Sequence, residues 1–437
     1  MTTLSAPADL DALLAKCLHC GLCLPVCPTY EVTGREESSP RGRIRLLREL
    51  ERGTLGLTDP VIDEINFCLD CQACEAICPA GVRYGALVED ARARIAESGR
   101  EARSLRLLRK IILRWFLAGN NVRKIAVACM MLYNRSGLRD AVDRSGVLDL
   151  FPERVSRFHR LMPRVGILSF LDRQTGPAVP TGTARGRVAL LTGCLMDSAF
   201  ADVHAATVAV LRRNGFEVVF PRGQVCCGSL HAHYGDREKA HALARTNIGL
   251  FAEPDLDAVI VDSAGCAAYM KEYGEIFAAD PEIARAASLV AGKTKEISEF
   301  LVGEGFEPPA GRLDLRVTYH DPCHLAHTQR ITSQPRELLR SIPGLEFIEL
   351  RDASWCCGSA GIYNLTRPGD ADRFLDRKMS TVDETGADVV ATANPGCHLQ
   401  LSMGIEMSHG RMRVMHPVAL LQAAYEAGDS EQKEKTS

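Results

Sequence analysis

The spacing of apolar positions divides the chain into two parts with different expected folds. In the first part, short segments repeat apolar residues at helical spacing. These segments are Ala8–Lys16, Arg43–Arg52 and Ala86–Ser98. From Arg187 onward, short β-branched or apolar runs alternate with helical patterns, which is typical of an α/β domain. The runs are Val188–Thr192, Glu217–Phe220 and Ala258–Val261. The sequence therefore predicts an α-helical domain followed by an α/β region.

A basic segment joins the two parts. Between Arg100 and Arg173 there are 16 Lys and Arg residues against 6 Asp and Glu. Its apolar residues recur at near-helical spacing, at Leu105, Leu108, Ile112, Trp115 and Phe116. This pattern indicates a basic amphipathic helix that packs on its own protein, or that contacts a partner subunit or an anionic membrane surface. Residues 176–186, rich in Gly, Pro and Thr, end the segment as a linker.

The α/β region contains an internal repeat that is marked by its cysteines. The aligned pairs are Cys194 with Cys323, Cys227 with Cys357, and Cys266 with Cys397, at offsets of 129, 130 and 131 residues. Each of these cysteines lies just past the end of a predicted strand. Ligands of open α/β sheets bind at the carboxyl ends of strands, so we expect the three loops of each copy to converge on a common site.

These patterns give the expected domain boundaries. Residues 1–98 form the α-helical domain, and residues 99–186 form the basic helical region and linker. Residues 187–306 and 313–425 are the two α/β repeats, separated by the Gly- and Pro-rich break at 304–312. Residues 426–437 are expected to be a disordered tail.

Composition narrows the possible functions. The chain has 437 residues, 46% of them hydrophobic, and a formal net charge of -3, which gives no electrostatic reason to bind nucleic acid. No apolar run reaches the ~18 residues that a membrane span needs. The N-terminal sequence does not resemble a secretory signal, so we expect a reducing compartment, the cytoplasm. There, 17 cysteines at fixed spacings indicate metal ligation before disulfides.

Eight cysteines form two identical runs of the pattern C-x2-C-x2-C-x3-C-P. The first run is Cys17, Cys20, Cys23 and Cys27, and the second is Cys68, Cys71, Cys74 and Cys78. This is the bacterial ferredoxin run, in which the fourth cysteine serves the other cluster. We therefore predict two [4Fe-4S] clusters, one bound by Cys17, Cys20, Cys23 and Cys78 and the other by Cys68, Cys71, Cys74 and Cys27. Structural zinc is the alternative, although zinc sites usually pair two short Cys hooks.

The other eight clustered cysteines form two sets with a Cys-Cys-Gly sequence in each. One set is Cys194, Cys226, Cys227 and Cys266, and the other is Cys323, Cys356, Cys357 and Cys397. Repetition favours a further metal site in one or both copies. Buried core thiols and a redox-active vicinal disulfide are the alternatives. Gly228 and Gly358 are expected to supply a positive φ or a close backbone approach in these loops.

Several other residues near these motifs are candidate ligands. His320, His324 and His398 flank Cys323 and Cys397, and His231 and His233 follow the first Cys-Cys-Gly loop. Imidazoles ligate iron–sulfur centres in some proteins and are more often hydrogen-bond donors behind the ligands. Tyr269 and Gln400 are weaker candidates. Cys129, alone in an apolar sequence, is expected to be a buried thiol.

The Cys-Cys-Gly repeats resemble the CCG-domain family, which includes heterodisulfide reductase B subunits and iron–sulfur subunits of flavin dehydrogenases. The family pattern ends in CxxC, whereas Tyr269 and Gln400 stand where its last cysteine belongs. Over nearly the whole chain, the sequence resembles the iron–sulfur subunits of bacterial glycolate oxidases. The motifs that carry this resemblance are SPRGRI (39–44), CPAGVRYG (78–85), SAGCAAYMKEYG (263–274) and CCGSAGIYNL (356–365).

The resemblance implies an oxidoreductase complex in which this chain is the non-flavin, electron-carrying subunit of a glycolate dehydrogenase. The sequence contains no G-x-G-x-x-G and no P-loop, so the FAD is expected on partner subunits and the chain to hold no catalytic residue. Electrons would pass through two clusters toward a membrane quinone, with the chain peripheral on the cytoplasmic face of the inner membrane. The alternatives are a lactate or anaerobic glycerol-3-phosphate dehydrogenase subunit, a thiol–disulfide reductase of the heterodisulfide reductase type, and a scaffold in which metals only stabilise the fold.

Overall fold

The first region of the protein is a small bundle of helices joined by cysteine-containing loops. The computed structural model describes residues 10–151, 153–165 and 167–436. The helices of this region are α1 (Leu10–Ala15), α2 (Pro28–Thr33), α3 (Pro40–Glu51), α4 (Asp59–Phe67), α5 (Ala73–Ala76) and α6 (Tyr84–Ser98), with a 3-10 turn at Glu36–Ser38. Proline at the first or second position starts α2, α3 and α4, and the Ser39 hydroxyl caps α3 by accepting from the Gly42 N–H at 3.0 Å. The predicted segment Ala8–Lys16 begins outside the described residues, and its described part is helix α1.

The basic segment forms a series of helices that lies over the rest of the molecule. They are α7 (Arg103–Arg109), a π-helical continuation at Lys110–Leu117, α8 (Asn120–Arg135), α9 (Leu138–Ser145), a 3-10 turn at Val147–Leu150, α10 (Glu153–Leu161) and α11 (Phe170–Arg173). Leu113 and Leu117 are buried in the core of the first repeat, so part of this segment packs on its own protein. Cys129 is exposed, and the prediction that it is buried was wrong. Helix α8 buries Arg123 and Val127 instead, one turn apart, and Cys129 lies on another face.

The first α/β repeat has a four-stranded parallel sheet in the order β2-β1-β3-β4. Its strands are β1 (Gly186–Leu190), β2 (Phe216–Val219), β3 (Ala258–Val261) and β4 (Thr294–Glu296). Its helices are α12 (Met196–Ala199), α13 (Ala201–Arg213), α14 (Ser229–His233), α15 (Arg237–Phe251), α16 (Ala264–Lys271), α17 (Tyr273–Ile276), α18 (Ala284–Lys293) and α19 (Ile297–Glu304). Strand β2 lies on one side of β1 and strand β3 on the other, so the order in which strands are added reverses between β1 and β3. Open α/β sheets bind their ligands at this point.

The second repeat has the same topology, with parallel order β6-β5-β7-β8. Its strands are β5 (Arg316–Tyr319), β6 (Glu346–Ile348), β7 (Val389–Ala391) and β8 (Arg413–Met415). Its helices are α20 (Ser333–Arg340), α21 (Tyr363–Thr366), α22 (Pro368–Glu384), α23 (Pro395–Met407) and α24 (Pro417–Thr436), with a π-helical turn at His324–Thr328. The predicted duplicated α/β architecture is confirmed.

The two repeats share one hydrophobic core. One face of each sheet contributes to it, through residues such as Val188 and Val218 of the first and Val317 and Val389 of the second. Helix α13 packs against α24 and helix α19 packs against α20, so helices of each repeat fill the space between the sheets. This arrangement places the carboxyl ends of β1 and β5 near each other.

Two further observations complete the fold. Helix α24 continues to Thr436, although we expected residues 426–437 to be disordered. The segment is helical because after Gly428 it has no Gly or Pro and is rich in the good helix formers Glu, Gln and Lys. Within the described part of the chain, no helix combines the length and apolar character that crossing a bilayer requires.

Candidate metal centres

The first predicted cluster site lies at the surface of the α-helical domain. Four of the cysteines that line its small cavity, of about 40 Å³, are the predicted ligands Cys17, Cys20, Cys23 and Cys78. Cys74 also reaches this cavity. Cys20 is exposed, and the apolar side chains of Leu18 and Leu22 beside it are exposed as well. One side of this site therefore faces solvent.

The second predicted site is buried against the α/β repeats. Cys27, Cys68 and Cys74 are buried, and Cys71 is half-buried. The Asp70 N–H donates to the Cys68 Sγ at 3.4 Å, and the Tyr84 hydroxyl donates to the same sulfur at 3.8 Å. Burial raises the pKa of the Cys71 and Cys74 thiols well above its usual value, and neighbouring cysteines raise it further. Without a metal, these groups are neutral thiols.

The donors at both sites fit [4Fe-4S] clusters. Each site has four soft sulfur donors, and at the second site an N–H and an O–H group donate to the Cys68 sulfur, which is typical of iron–sulfur sites. The second site has no solvent-facing side comparable to that of the first. The two identical sequence runs thus lie in unlike environments, one exposed and one enclosed.

All eight cysteines of the repeats line a single cavity of about 170 Å³. The first repeat contributes Cys194, Cys226, Cys227 and Cys266, and the second contributes Cys323, Cys356, Cys357 and Cys397. The expected convergence of the loops at the strand ends is confirmed, and it extends across both copies. Gly228 and Gly358 have φ of +98° and +85°, and a Cβ there would lie 2.9 and 2.6 Å from a backbone oxygen. The prediction for these glycines is also confirmed.

In the first repeat, the thiols contact one another. The Cys194 Sγ lies 3.5 Å from the Cys226 Sγ. Hydrogen bonds with Cys194 and Cys227 and the nearby imidazole of His231 lower the pKa of Cys226 well below its usual value. The other side of His231 contacts the Leu113 carbonyl oxygen, with Nε2 at 3.0 Å. The basic segment therefore covers the first repeat's cysteines.

In the second repeat, a histidine joins the cysteines. Ligand atoms of His320, Cys357 and Cys397 all lie within 4.8 Å of one another, and all three residues are buried. The Asn394 Nδ2 donates to the Cys397 Sγ at 3.6 Å. Burial and the nearby Lys378 ammonium lower the pKa of His320 well below its usual value, so the imidazole is neutral.

The second ferredoxin-type site is in contact with the second repeat. Cys71 packs against a hydrophobic cluster that includes Trp355 and Cys356. The nearby Cys323 thiol also raises the pKa of Cys71. This contact joins residues about 250 positions apart, and no local pattern in the sequence indicates it.

A buried polar cluster holds this junction together. The His233 Nδ1 donates to Glu89 at 2.5 Å and lies 3.2 Å from Asp70, and the Asp70 carbonyl oxygen lies 3.1 Å from the His324 Nε2. Burial disfavours the charge on His233, but hydrogen bonds to Asp70 and Glu89 raise its pKa to about 10. Arg92 donates to the Cys68 carbonyl oxygen at 2.5 Å and to the His233 carbonyl oxygen at 3.1 Å. These contacts fix the α-helical domain on both repeats.

The remaining candidate residues do not line the cavity. The ring of His398 packs edge-on against Phe200 on another face of the repeat. Tyr269 packs against Tyr273, and the Gln400 Oε1 accepts from Asn364 at 2.8 Å. Neither Tyr269 nor Gln400 lines the cavity that the described residues form. Tyr269 and Gln400 follow Cys266 and Cys397 by three residues and share a helix face with them, and the Tyr269 ring lies beside Gly228 of the first Cys-Cys-Gly loop.

Three family models match the chain. A 4Fe-4S dicluster domain matches residues 13–82, which contain both ferredoxin runs, and a cysteine-rich domain matches 188–271 and 317–402. The linker region of the glycolate oxidase iron–sulfur subunit matches residues 104–162. The chain is therefore an iron–sulfur protein with [4Fe-4S] clusters, in which two cysteine-rich domains follow a ferredoxin-type domain.

Individual relatives agree with these matches. A protein of Bacillus subtilis named "Probable glycolate oxidase iron-sulfur subunit" is 39% identical over 413 residues, which is 93% of each chain. The glycolate oxidase iron–sulfur subunit of Escherichia coli is 30% identical over 433 residues, 96% of each chain. Lactate utilization protein A of Shouchella clausii is 34% identical over 235 residues, 54% of this chain and 98% of that relative. The two full-length matches show that the chain belongs to the family of glycolate oxidase iron–sulfur subunits.

Proposed function

We propose that this chain is the electron-transfer subunit of a flavin-dependent glycolate dehydrogenase. Oxidation of glycolate to glyoxylate releases two electrons and two protons, and a flavin on a partner subunit would accept them. When bound, each [4Fe-4S] cluster supplies a centre that gains and loses one electron at a time. The observation that carries the proposal is the pair of ferredoxin-type sites, one open to solvent and one in contact with the repeats.

We assign the ligands as the sequence runs indicate. Cys17, Cys20, Cys23 and Cys78 hold one cluster, and Cys68, Cys71, Cys74 and Cys27 hold the other. The shared cavity of the first set and the mutual proximity of the second support this assignment. The chain's own contribution is to supply thiolates, to donate hydrogen bonds to sulfur and to exclude water from the second site.

The surface around Cys20 is where we place the flavoprotein partner. Leu18, Leu22 and Ile77 are exposed apolar residues near this site. A partner that covers them brings its flavin close to the first site and shields the exposed cysteine. Aromatic or aliphatic anchors in such a patch carry much of the affinity of an interface.

The basic segment is where we place a peripheral contact with the cytoplasmic face of the membrane, toward the quinone. Leu107, Ile111 and Trp115 are exposed at four-residue intervals and form one apolar stripe. The stripe lies in a segment rich in Lys and Arg, which suits an anionic lipid surface. The opposite face of the same helices packs on the first repeat through Leu113 and Leu117.

A vesicle-binding measurement tests the membrane contact. Trp115→Ser is expected to weaken binding of the full chain to anionic vesicles about tenfold or more, since burying a large side chain contributes about 2 kcal/mol. Phe116→Ser, on the packed side, is the control for a general loss of structure. Equal binding of the wild type and Trp115→Ser would contradict the membrane assignment.

A lactate-oxidising complex is the second candidate, because about half of the chain matches lactate utilization protein A. Affinity purification of the full chain under anaerobic conditions separates the two candidates. We expect a flavoprotein to co-purify, and glycolate rather than lactate or glycerol 3-phosphate to reduce the iron–sulfur chromophore. Reduction by lactate would replace the glycolate assignment with the second candidate. Oxidation of glycolate by the isolated chain with an artificial acceptor would overturn the proposal, since it requires a substrate site on this chain.

A further inference from the structure

A series of contacts leads from Cys27 to a buried arginine. The Cys27 Sγ lies 3.3 Å from the Thr29 Oγ1, and the Arg43 Nη1 donates to the same hydroxyl oxygen at 3.1 Å. All three residues are buried, and Thr29 and Arg43 are each only 1% exposed. The proposed function makes Cys27 a ligand of the second ferredoxin-type site, so these contacts connect a buried cation to that site.

The guanidinium of Arg43 is held in one orientation. Its Nε donates to the Glu64 carbonyl oxygen at 2.9 Å, and its Nη2 donates to the Glu64 carboxylate at 2.7 Å. The Ser38 hydroxyl donates to the other carboxylate oxygen at 3.0 Å. The remaining nitrogen, Nη1, donates to the Thr29 hydroxyl and to the Ser38 carbonyl oxygen, both at 3.1 Å. The ion pair with Glu64 therefore turns a cationic N–H group toward Thr29.

The hydroxyl of Thr29 has a second acceptor available when Cys27 binds iron. In the structure this hydroxyl donates to the Ser38 carbonyl oxygen at 2.7 Å, and Arg43 donates to the same oxygen. A thiolate ligand has no proton and accepts hydrogen bonds only. Because Arg43 still satisfies the Ser38 carbonyl oxygen, the hydroxyl can turn to the Cys27 sulfur without leaving that oxygen unpaired.

A hydrogen bond to a ligand sulfur and a nearby cation both favour the reduced state of an iron–sulfur centre. Reduction adds one negative charge, and a buried site stabilises added charge poorly because water is excluded. Hydrogen bonds to sulfur and net charge are among the properties that set the reduction potential. The same opposition acts on the neighbouring Cys68, where burial raises the pKa of the thiol and the Arg43 guanidinium most strongly counteracts the rise.

The first ferredoxin-type site has a different residue at the matching position. Thr29 is the second residue after Cys27, and Ala80 is the second residue after Cys78 in the other run. Ala80 has no hydroxyl, and it lines the small cavity of the first site. Cys20 of that site is exposed, so water can stabilise added charge there. The hydroxyl and its arginine thus occur at the enclosed site, where water cannot do so.

We propose that Thr29 and the Arg43–Glu64 pair are positioning residues that act through Cys27 and raise the reduction potential of the second ferredoxin-type site above the value that burial alone would give. The inference rests on the proposed function, from which it takes the ligands and the inward direction of electron flow. Transfer between the sites moves one electron from the exposed site to the enclosed one and breaks no bond. Thr29 and Arg43 make the enclosed site a better acceptor for that electron.

Redox titration of the anaerobically purified full chain, with dithionite and mediators and an EPR readout, tests the inference. Thr29→Val removes the hydroxyl at nearly constant volume. At a fixed potential it is expected to lower the ratio of reduced to oxidised centres at one of the two sites about tenfold, which corresponds to about 59 mV for a one-electron centre. Thr29→Ser keeps the hydroxyl and is expected to keep the wild-type potential. Thr33→Val, one turn further along α2, is the control, because the Thr33 hydroxyl donates to the Thr29 carbonyl oxygen at 2.7 Å.

Glu64→Gln is expected to change the potential of the same site in the opposite direction. It removes a negative charge and keeps an oxygen that accepts from Arg43, so the ratio of reduced to oxidised centres is expected to rise about tenfold. A general loss of packing would not lower the potential in one variant and raise it in the other. An unchanged potential in Thr29→Val or in Glu64→Gln would overturn the inference, as would an equal shift in Thr33→Val.

These shifts do not depend on the flavoprotein or its substrate, because dithionite and mediators set the potential. Failure of glycolate to reduce the complex would contradict the proposed function and leave the shifts in place.

Discussion

The two repeats have the same strand order and the same Cys-Cys-Gly loops, yet their cysteines have different neighbours. In the first repeat, Leu191 and a helix of the basic segment cover thiols that contact each other. In the second, a buried histidine lies among the cysteines, and the adjoining ferredoxin-type site supplies Cys71 as a neighbour.

This difference shows that a duplicated motif does not by itself define two equivalent sites. The motif positions the thiols at the strand ends, and that much is common to both copies. The residues that distinguish the copies lie outside the motif, at the end of one strand and on another domain. We expect substitutions to separate the two copies accordingly.

The largest effect is expected where electrons enter, upstream of both repeats. Cys20→Ser removes a ligand of the exposed ferredoxin-type site and is expected to lower glycolate-dependent acceptor reduction by the complex about a hundredfold or more. Substitution of a residue that only hydrogen-bonds to a metal ligand already lowers activity about 10–100-fold. Cys129→Ser, at an exposed thiol outside both motifs, is the control. Equal losses in the two variants would mean that the cysteines are wrongly divided.

The next largest effect compares the repeats directly. Cys356→Ser is expected to lower turnover of the complex about tenfold or more, and its counterpart Cys226→Ser is expected to lower it by less than about twofold. The physical reason is that Cys356 lies beside Cys71, whereas Cys226 lies beside Cys194 and His231. Steady-state rates with a soluble acceptor measure both. A larger loss in Cys226→Ser would reverse the comparison.

A buried pair of His204 and Asp262 in the first repeat is expected to contribute to stability. His204 Nδ1 lies 2.7 Å from Asp262, and both side chains are buried. Burial opposes both charges, but the pair raises the pKa of His204 and lowers that of Asp262. His204→Leu leaves the Asp262 charge unpaired, and we expect the free energy of unfolding to fall by about 3–5 kcal/mol.

The position equivalent to His204 in the second repeat provides the control. Ser333→Ala, at an exposed residue, is expected to change the free energy of unfolding by less than about 0.5 kcal/mol. Urea unfolding of the cluster-containing protein measures both. A loss below about 1 kcal/mol in His204→Leu would show that the pair is not charged in the folded protein.

A further prediction concerns the pH dependence of the first repeat's contact with the α-helical domain. Burial and the nearby Glu89 raise the pKa of Glu272 to about 8. The folded protein therefore holds this proton more tightly than the unfolded chain, and the contribution to stability falls as pH rises from 4.5 to about 8. Glu272→Gln is expected to flatten this part of the profile, whereas Met403→Leu, at the equivalent position of the second repeat, is expected to leave it unchanged. An unaltered slope in Glu272→Gln would contradict the raised pKa.

The sequence was sufficient to predict the parts that depend on local spacing. Apolar runs between helical patterns predicted the first three strands of each repeat but not β4 or β8. The cysteine offsets predicted a duplication with the loops at the strand ends. The positive φ of Gly228 and Gly358 was predicted because only glycine accommodates that backbone without strain.

The parts that depend on distant contacts were not predictable from one sequence. Which histidine enters the cavity depends on strand register and helix phase, so His320 and His398 were equivalent candidates until the fold separated them. The exposure of Cys129 depends on which face of α8 meets the protein. The approach of Cys71 to Cys356 depends on how two domains dock, and no pattern within either domain encodes it.

The common hydrophobic core of the two sheets has a consequence for folding. Residues of both repeats, such as Val188 and Val317, belong to one buried cluster, so neither copy can bury its apolar face without the other. The pair is therefore expected to unfold in one cooperative transition. Deleting either repeat would expose the apolar interior of the other to water, so each copy is needed to keep its twin folded.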